Sequence, residues 1–491
     1  MCSNRTEYTG LSIVRPGFLC YKIQSWNYSV YKLAHGSDPG GVVFVSEKNG
    51  KREEWGSKFG FIMAAAGSAV GLGNVWRFPY ITGKYGGAAF VLVYLIIVTV
   101  IGSSLMLAEI ALGRSARLDS VGTFRKLGGG AWPLVGWMGF FCGFVILSYY
   151  AVIAGWTLAY MFKSFGGLME AAAGGKAADA FGAFVSDPVQ AIAYHIAVMA
   201  IVVAVVCRGI GEGIEKSCKV LMPALFLILI LLIARAVTLP GAAEGLKFYL
   251  LPDFSKLSGE AVLSAVGQGF YSLSLAMGII ITYGSYLGKQ EYMPKVTSTI
   301  VLLDTAVAVM AGLIIFPAVF AFGVDAGAGP GLTFVTLPIV FAKMPMGAVF
   351  SFAFFALLFI AALTSAFSLF EVVVAFAVDE IGWPRLKASL IMGLAVTILG
   401  IPSALSVGGH FPKIYGKDFL DAMDFITNNA VMPVCGILTS FFVGWLWTKG
   451  AKEEVTNCGT HDFPFYKAWL WVCRIVVPVS VALIFINGLK W

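Results

Sequence analysis

Inside one apolar stretch, between Phe61 and Pro79, the chain carries Gly67, Gly71 and Gly73, then Asn74 and Arg77. Glycines so closely spaced weaken helix propagation. A helix that breaks there frees carbonyl oxygens from its first half and amide N–H groups at the start of its second. The carbonyls suit a cation and the amides an anion. Small residues also permit close helix packing, but a polar amide and a guanidinium in the same apolar segment go beyond packing. A second interruption lies between Gly267 and Gly278, where Tyr271, Ser272, Ser274, Ala276 and Met277 again place hydroxyls and small residues inside an apolar run.

The elements that must position these breaks are long apolar helices. The chain is 58% hydrophobic and 12% charged, against about 25% charged residues in a soluble domain. Apolar blocks of about 20 residues, long enough to cross a bilayer, recur from Trp55 onward. Lipid satisfies no backbone hydrogen bonds, so spans are helices or closed barrels, and the two-residue alternation of barrel strands is missing. The expected fold class is an all-α polytopic membrane protein. Its spans, about eleven by the length rule, fall near 57–83, 87–112, 133–162, 190–207, 218–239, 260–287, 297–324, 346–378, 386–404, 419–447 and 467–489.

With the N-terminus cytoplasmic, most of the 34 Lys and Arg residues fall in inner loops, as the positive-inside rule asks. An odd number of spans then leaves the C-terminus outside. The net charge of +7 is accounted for by topology, and no nucleic-acid partner is expected. The eight cysteines show no CxxC or Cys/His spacing; Cys142, Cys207, Cys435 and Cys473 read as small packing residues. His35, His195, His410 and His461 form no metal or nucleophile constellation, so an enzyme is not expected. Residues 1–40 lack a signal-type apolar core and read as a loose tail or an over-extended translation start.

With five spans per half, the two breaks fall in matching spans one and six, and an odd repeat length inverts the second half. Paired interrupted spans point to a binding site at the bilayer midplane between inverted repeats. The residues that carry the pattern are GSAVGLGNVWRFPY (67–80), Gly86-Gly87, Glu109 in AEIALGR, SYYAVIAGWTL (148–158), VGQGFYSLSLAMGIIITYGSY (266–286), ALTSAFSL (362–369) and LDAMDF (420–425). In these motifs the chain resembles the neurotransmitter:sodium symporter family, above all its prokaryotic hydrophobic amino-acid transporters of the LeuT type with eleven transmembrane helices. The resemblance runs over residues 51–447. It implies a five-plus-five inverted repeat with discontinuous helices 1 and 6: a cytoplasmic tail over 1–50, the first repeat over 51–240, the second over 241–448, and a loop with a peripheral helix 11 over 449–491. A prokaryotic cytoplasmic membrane is the implied location.

The resemblance further implies two sodium sites and no organic cofactor. At the first, the Ala69 carbonyl, the Asn74 side chain, Ser272 and Asp304 would act with the substrate carboxylate, an oxygen set suited to a hard cation. At the second, carbonyls of Gly67, Val70 and Ala361 would join the hydroxyls of Thr364 and Ser365, which are equally at home back-bonding to their own helical turn. Asp304 stands where chloride-dependent members carry Asn, beside Tyr94, Gln268 and Ser272. Ala308 stands where some chloride-independent relatives carry an acid. A fixed charge at Asp304 implies transport without chloride, with proton exchange left open. For the substrate, amides near Leu72 and Gly73 with the Tyr150 hydroxyl would hold a carboxylate, and carbonyls of Tyr271 and Ser274 an amine. Ala69, Ile146, Tyr271, Ala276, Met277, Ser365 and Leu369 would surround the side chain. Apolar walls disfavour charged side chains, so neutral hydrophobic or aromatic L-amino acids are expected.

Arg77 and Asp424 match the family's outer gate, with Tyr150 and Tyr271 beneath. Arg52 and Asp379 match the inner pair, with Trp55 and Tyr286 nearby. Gly213 and Pro223 match the pattern that lets span five unwind, and both weaken a helix. Glu109 is expected to hold freed backbone at a break, while Glu371 in span eight has no evident role. The expected function is sodium-coupled uptake by alternating access. A proton-coupled transporter of the same fold and a non-transporting amino-acid sensor are the alternatives; Thr364 and Ser365 argue against the first, and the lack of an added signalling domain against the second.

Overall fold

The computed structural model describes residues 18–25, 28–35, 38–48, 52–323 and 331–489. The chain divides into two compact units, Met1–Glu53 and Glu54–Trp491.

In the first unit, β1 (Phe18–Ser25), β2 (Tyr28–His35) and β3 (Asp38–Lys48) pair antiparallel in that order. Phe18 faces His35 and Ser25 faces Tyr28, and Tyr28 in turn faces Lys48. The loose tail expected here is therefore corrected to a three-stranded meander over 18–48. Its mixed polarity hid strands rich in the β-branched and aromatic residues that favour a pleated surface.

The second unit is helical. Among the described residues, nine uninterrupted helices are long and apolar enough to cross a membrane: Ala88–Ala116, Pro133–Lys163, Pro188–Val206, Ile210–Val237, Met293–Ala321, Gly347–Asp379, Arg385–Ser406, Phe419–Leu446 and Tyr466–Gly488. Lys58–Ala69 and Gly73–Lys84 form a tenth, bent by 51° at its break. Gly259–Ser272 and Ile279–Ser285 form another interrupted span, separated by residues 273–278. In chain order the two broken spans are the first and the sixth. Their entry turns are conventional: Ser57 accepts from the Gly60 N–H at 3.0 Å and Ser258 from that of Ala261 at 3.2 Å, satisfying donors that a helix start leaves open.

Span five begins at Ile210, well before the apolar block that marks it in the sequence. Its first turns carry Glu212, Glu215, Lys216 and Lys219, whose charges mask the helix from hydropathy but pair at i,i+4. The core is built where span three runs along span eight and where the first half of span one packs against spans five, seven and eight. Span eight is buried without interruption from Ala361 to Ala377. Short helices join the spans, among them Ser120–Leu127 after span two and Thr448–Val455 after span ten.

Candidate functional site

The two breaks meet. Span one is helical to Ala69, turns extended at Val70 (φ −69°, ψ 101°), and resumes at Gly73 as a wide π-turn. In span six, Ser274 (φ 53°), Ala276 (φ 62°) and Gly278 (φ 74°) take left-handed conformations. For the two residues with a Cβ this costs on the order of 1 kcal/mol each, so something must hold them. Glu109 of span two accepts the Ala276 N–H at 2.8 Å. The Ser274 hydroxyl donates to the Ser68 carbonyl at 2.9 Å, which ties one break to the other.

Between the breaks lies a small cavity. It is lined by Ala69, Leu72, Gly73, Ile146, Tyr150, Tyr271, Ser274, Met277, Ser365 and Leu369, ten residues that the sequence singles out. Gly71 and Ile279 join them unforeseen. Ala276 does not line the cavity, contrary to expectation: its positive φ turns its N–H to Glu109, and its methyl packs toward Gly436. The glycines are there for close approach. A Cβ on Gly71 would lie 2.7 Å from the Ser365 hydroxyl and 3.0 Å from that of Tyr150, and one on Gly73 would lie 2.8 Å from the Tyr271 ring. The Leu72 N–H donates to the Tyr150 hydroxyl oxygen at 3.3 Å. No lining side chain carries a formal charge.

Two groups of oxygens flank the cavity. In one, Asn74 Nδ2 sits among Asp304 Oδ1 (2.7 Å), Ser272 Oγ (3.0 Å) and the Asp304 carbonyl (3.1 Å). Ser272 donates to the other Asp304 oxygen at 2.8 Å, and Tyr94 donates to Ser272 at 3.2 Å. The Asn74 oxygen, expected to face a cation, instead accepts the Gly71 N–H at 3.1 Å. The orientation has a local cause, since a donor is what the Asp304 carboxylate selects. Half a turn of the amide would present its oxygen to the same place. In the other group, the Ser365 hydroxyl lies 3.0 Å from the Ser68 carbonyl, 3.3 Å from that of Val70 and 3.5 Å from that of Gly67. Thr364 back-bonds to the carbonyls of Ile360 and Ala361, each at 3.1 Å. Among the described residues no three His, Cys, Asp or Glu side chains are grouped so as to hold a metal ion. Carbonyls, hydroxyls, one amide and one carboxylate are the ligands of a hard, oxygen-preferring cation.

At one mouth, Arg77 and Asp424 do not form an ion pair. The Arg77 guanidinium lies over the Tyr271 ring, 5.0 Å from its centroid, while Asp424 accepts from Asn428 at 2.6 Å. At the other, Trp55 plugs the bundle. Its N–H donates to the Tyr286 carbonyl at 3.3 Å, its indole to that of Tyr283 at 3.1 Å, and its ring meets Phe61, Tyr283 and Tyr286 edge-on. Asp379 accepts the Asp119 N–H at 2.8 Å; Arg52 belongs to the first unit. Glu371 does acquire a role: wholly buried, it pairs with Arg385 of span nine and accepts the Tyr286 hydroxyl at 2.7 Å. Gly213 lies in the opening π-turn of span five and Pro223 inside its helix, with the segment between them wound.

This arrangement has known counterparts. The family model for sodium:neurotransmitter symporters matches residues 52–174 and 185–490. The chain belongs to the sodium:neurotransmitter symporter family. It is a sodium-dependent transporter, not an enzyme. Among relatives, an uncharacterised sodium-dependent transporter of Bacillus subtilis, YhdH, is 39% identical over 440 residues, covering 89% of this chain and 98% of its own. One from Haemophilus influenzae is 35% identical over 460 residues, covering 91% and 100%. Among solved structures, MhsT in complex with L-phenylalanine is 43% identical with a TM-score of 0.81, covering 89% of this chain and all of that one. The fold is accordingly the LeuT type, five plus five spans with helices 1 and 6 discontinuous.

Proposed function

We propose that this symporter takes up neutral hydrophobic L-amino acids, aromatic ones included, together with sodium and without chloride. The observation that carries the reading is the cavity between the breaks: polar backbone and hydroxyls on one side, apolar walls on the other. The Leu72 amide and Tyr150 hydroxyl would take the carboxylate, and the Tyr271 and Ser274 carbonyls the amine. Ile146, Met277, Ile279 and Leu369 would enclose the side chain, and burying a charge against them without a partner would be costly. Flexible Met277 suits side chains of several shapes. The phenylalanine bound by MhsT, a relative with 43% identity, supports this class.

Two sodium ions travel with the substrate in this reading. One is held by Ala69, Asn74, Ser272 and Asp304 with the substrate carboxylate, the other by Gly67, Val70, Ala361, Thr364 and Ser365. Asp304 supplies the negative charge that an anion would otherwise bring. Alternating access opens one mouth at a time. Arg77 and Asp424 close the outer mouth over Tyr150 and Tyr271; Asp379, Trp55 and Tyr286 close the inner one. Unwinding between Gly213 and Pro223 admits water to the second sodium. The N-terminus is cytoplasmic, the C-terminus outside, and the membrane the inner membrane of a prokaryote. The two inverted repeats cover 51–240 and 241–448.

The test is radiolabelled uptake into liposomes with an amino-acid panel, with and without a sodium gradient, and with chloride replaced by gluconate. The expected result is sodium-driven uptake of phenylalanine, tryptophan, leucine or their like, unchanged in gluconate. Glutamate outcompeting all of them would overturn the substrate class, and loss of uptake in gluconate would overturn the role given to Asp304.

A further inference from the structure

Glu215 lies in the wound segment between Gly213 and Pro223 and is 2% exposed. Its carboxylate serves more than its own helix. Oε2 accepts the Gly56 N–H at 2.7 Å, Oε1 accepts the Ser57 hydroxyl at 2.9 Å, and Lys219, one turn on, lies 2.6 Å from Oε1. The carboxylate presses so closely on the first turn of span one that a Cβ on Gly60 would lie 2.0 Å from Oε1. An anion at the start of a helix meets unpaired N–H groups and the favourable end of the dipole. Gly56 directly follows Trp55, the residue that plugs the bundle against Tyr283 and Tyr286. A carboxylate on span five therefore anchors the backbone beside the plug.

We propose that Glu215 makes the unwinding of span five and the release of the Trp55 plug one event. It is a positioning residue: it touches neither the cavity nor the oxygens beside it. When the Gly213–Pro223 segment unwinds, its carboxylate leaves Gly56 and Ser57 and the plug loses its anchor. While the plug is seated, the same bonds hold the segment wound. The inference rests on the alternating-access reading above.

Hydrogen–deuterium exchange on the full-length transporter, with and without sodium and with no amino acid added, tests it. In the wild type, sodium should slow exchange of residues 54–61 and 210–222 together. In Glu215→Gln, residues 54–61 should exchange roughly tenfold faster, as expected on losing a charge-assisted hydrogen bond, and should no longer respond to sodium, while 210–222 still does. Ser57→Ala, which removes one donor and leaves the carboxylate, should fall between and keeps the test open if the first variant misfolds. Sodium protecting 54–61 equally in wild type and Glu215→Gln would overturn the coupling alone. Sodium affecting neither segment in the wild type would overturn the sodium-coupled reading and this inference with it.

Discussion

The Leu72 N–H donates to the Tyr150 hydroxyl oxygen across 3.3 Å, so the two groups proposed to hold a substrate carboxylate hold one another. The hydroxyl's own proton stays available, and a carboxylate entering between them would receive both donors. Tyr150→Phe removes one of the two. A hydrogen bond to a charged group is worth about 1.5–3 kcal/mol, which corresponds to phenylalanine affinity weakened by about 10- to 150-fold. Equilibrium binding of the labelled amino acid measures it; an unchanged Kd would remove Tyr150 from the site.

Gly71 admits no side chain, because a Cβ would lie 2.7 Å from the Ser365 hydroxyl and 3.0 Å from that of Tyr150. Gly71→Ala is expected to abolish sodium-dependent binding while the protein still folds, since only two hydroxyls at the cavity must move. Gly267→Ala is the control: its Cβ would have nothing nearer than Ile484 Cγ2 at 4.0 Å. Parallel binding assays and melting curves separate the two.

The Glu371–Arg385 pair is buried, with the carboxylate fully enclosed and Arg385 16% exposed. Removing one member of such a pair strands the other, at about 3–5 kcal/mol. Arg385→Ala should therefore melt far below the wild type, whereas Glu371→Leu combined with Arg385→Leu should recover most of the loss. Tyr286→Phe, which deletes one hydrogen bond to the Glu371 carboxylate, should cost about 1.5–3 kcal/mol, less than the loss of Arg385. Thermal unfolding in one detergent ranks the four proteins.

Asp119 caps the helix after span two, accepting the N–H groups of Val121 at 2.9 Å and Gly122 at 3.2 Å. Burial pushes its carboxyl up to about 7, and Asp379 and Glu380, the latter paired with Arg125, push in the same direction where their charge reaches it. The folded form thus binds a proton that the unfolded form has already released. Stability should fall as pH rises from about 4 to about 7 and level off above, because the native state holds the extra proton across that window. Asp119→Asn removes this slope. Melting temperatures across that range test it; parallel curves for the two proteins would refute it.

The spans are legible in the sequence because hydrocarbon imposes a length and forbids charge, and among the described residues their bounds fall within a few residues of those expected, span five excepted. The break at Gly71 and Gly73 is legible because glycine and Asn74 have no place in an ordinary span. The bonds that hold the breaks together are less so. Glu215 reaches Gly56 from 159 residues away, and only a folded chain shows that a charge among other charges is buried. Glu371 is conspicuous in the sequence, but Arg385 lies in the next span and looks like an ordinary interfacial cation. The family resemblance places Ala276 at the cavity, and nothing in the sequence shows that its φ is positive. Arg77 and Asp424 share a depth, yet depth alone does not bring a guanidinium onto a carboxylate when Tyr271 offers it a ring.

Arg114 closes span two with a wholly buried guanidinium, held by the Glu454 carboxylate at 2.9 Å, the Glu291 carbonyl at 2.7 Å and the Asn457 side chain at 2.6 Å. Two of those partners are encoded some 340 residues later. During synthesis, the second span emerges from the ribosome long before its terminal charge can be satisfied. That end of the nascent helix must wait at the membrane surface, in water or on an insertion factor, until the segment after span ten arrives. Assembly of the amino-terminal half is thus completed by the last tenth of the message, and a transcript truncated before Glu454 would leave the Arg114 guanidinium without the carboxylate it pairs with.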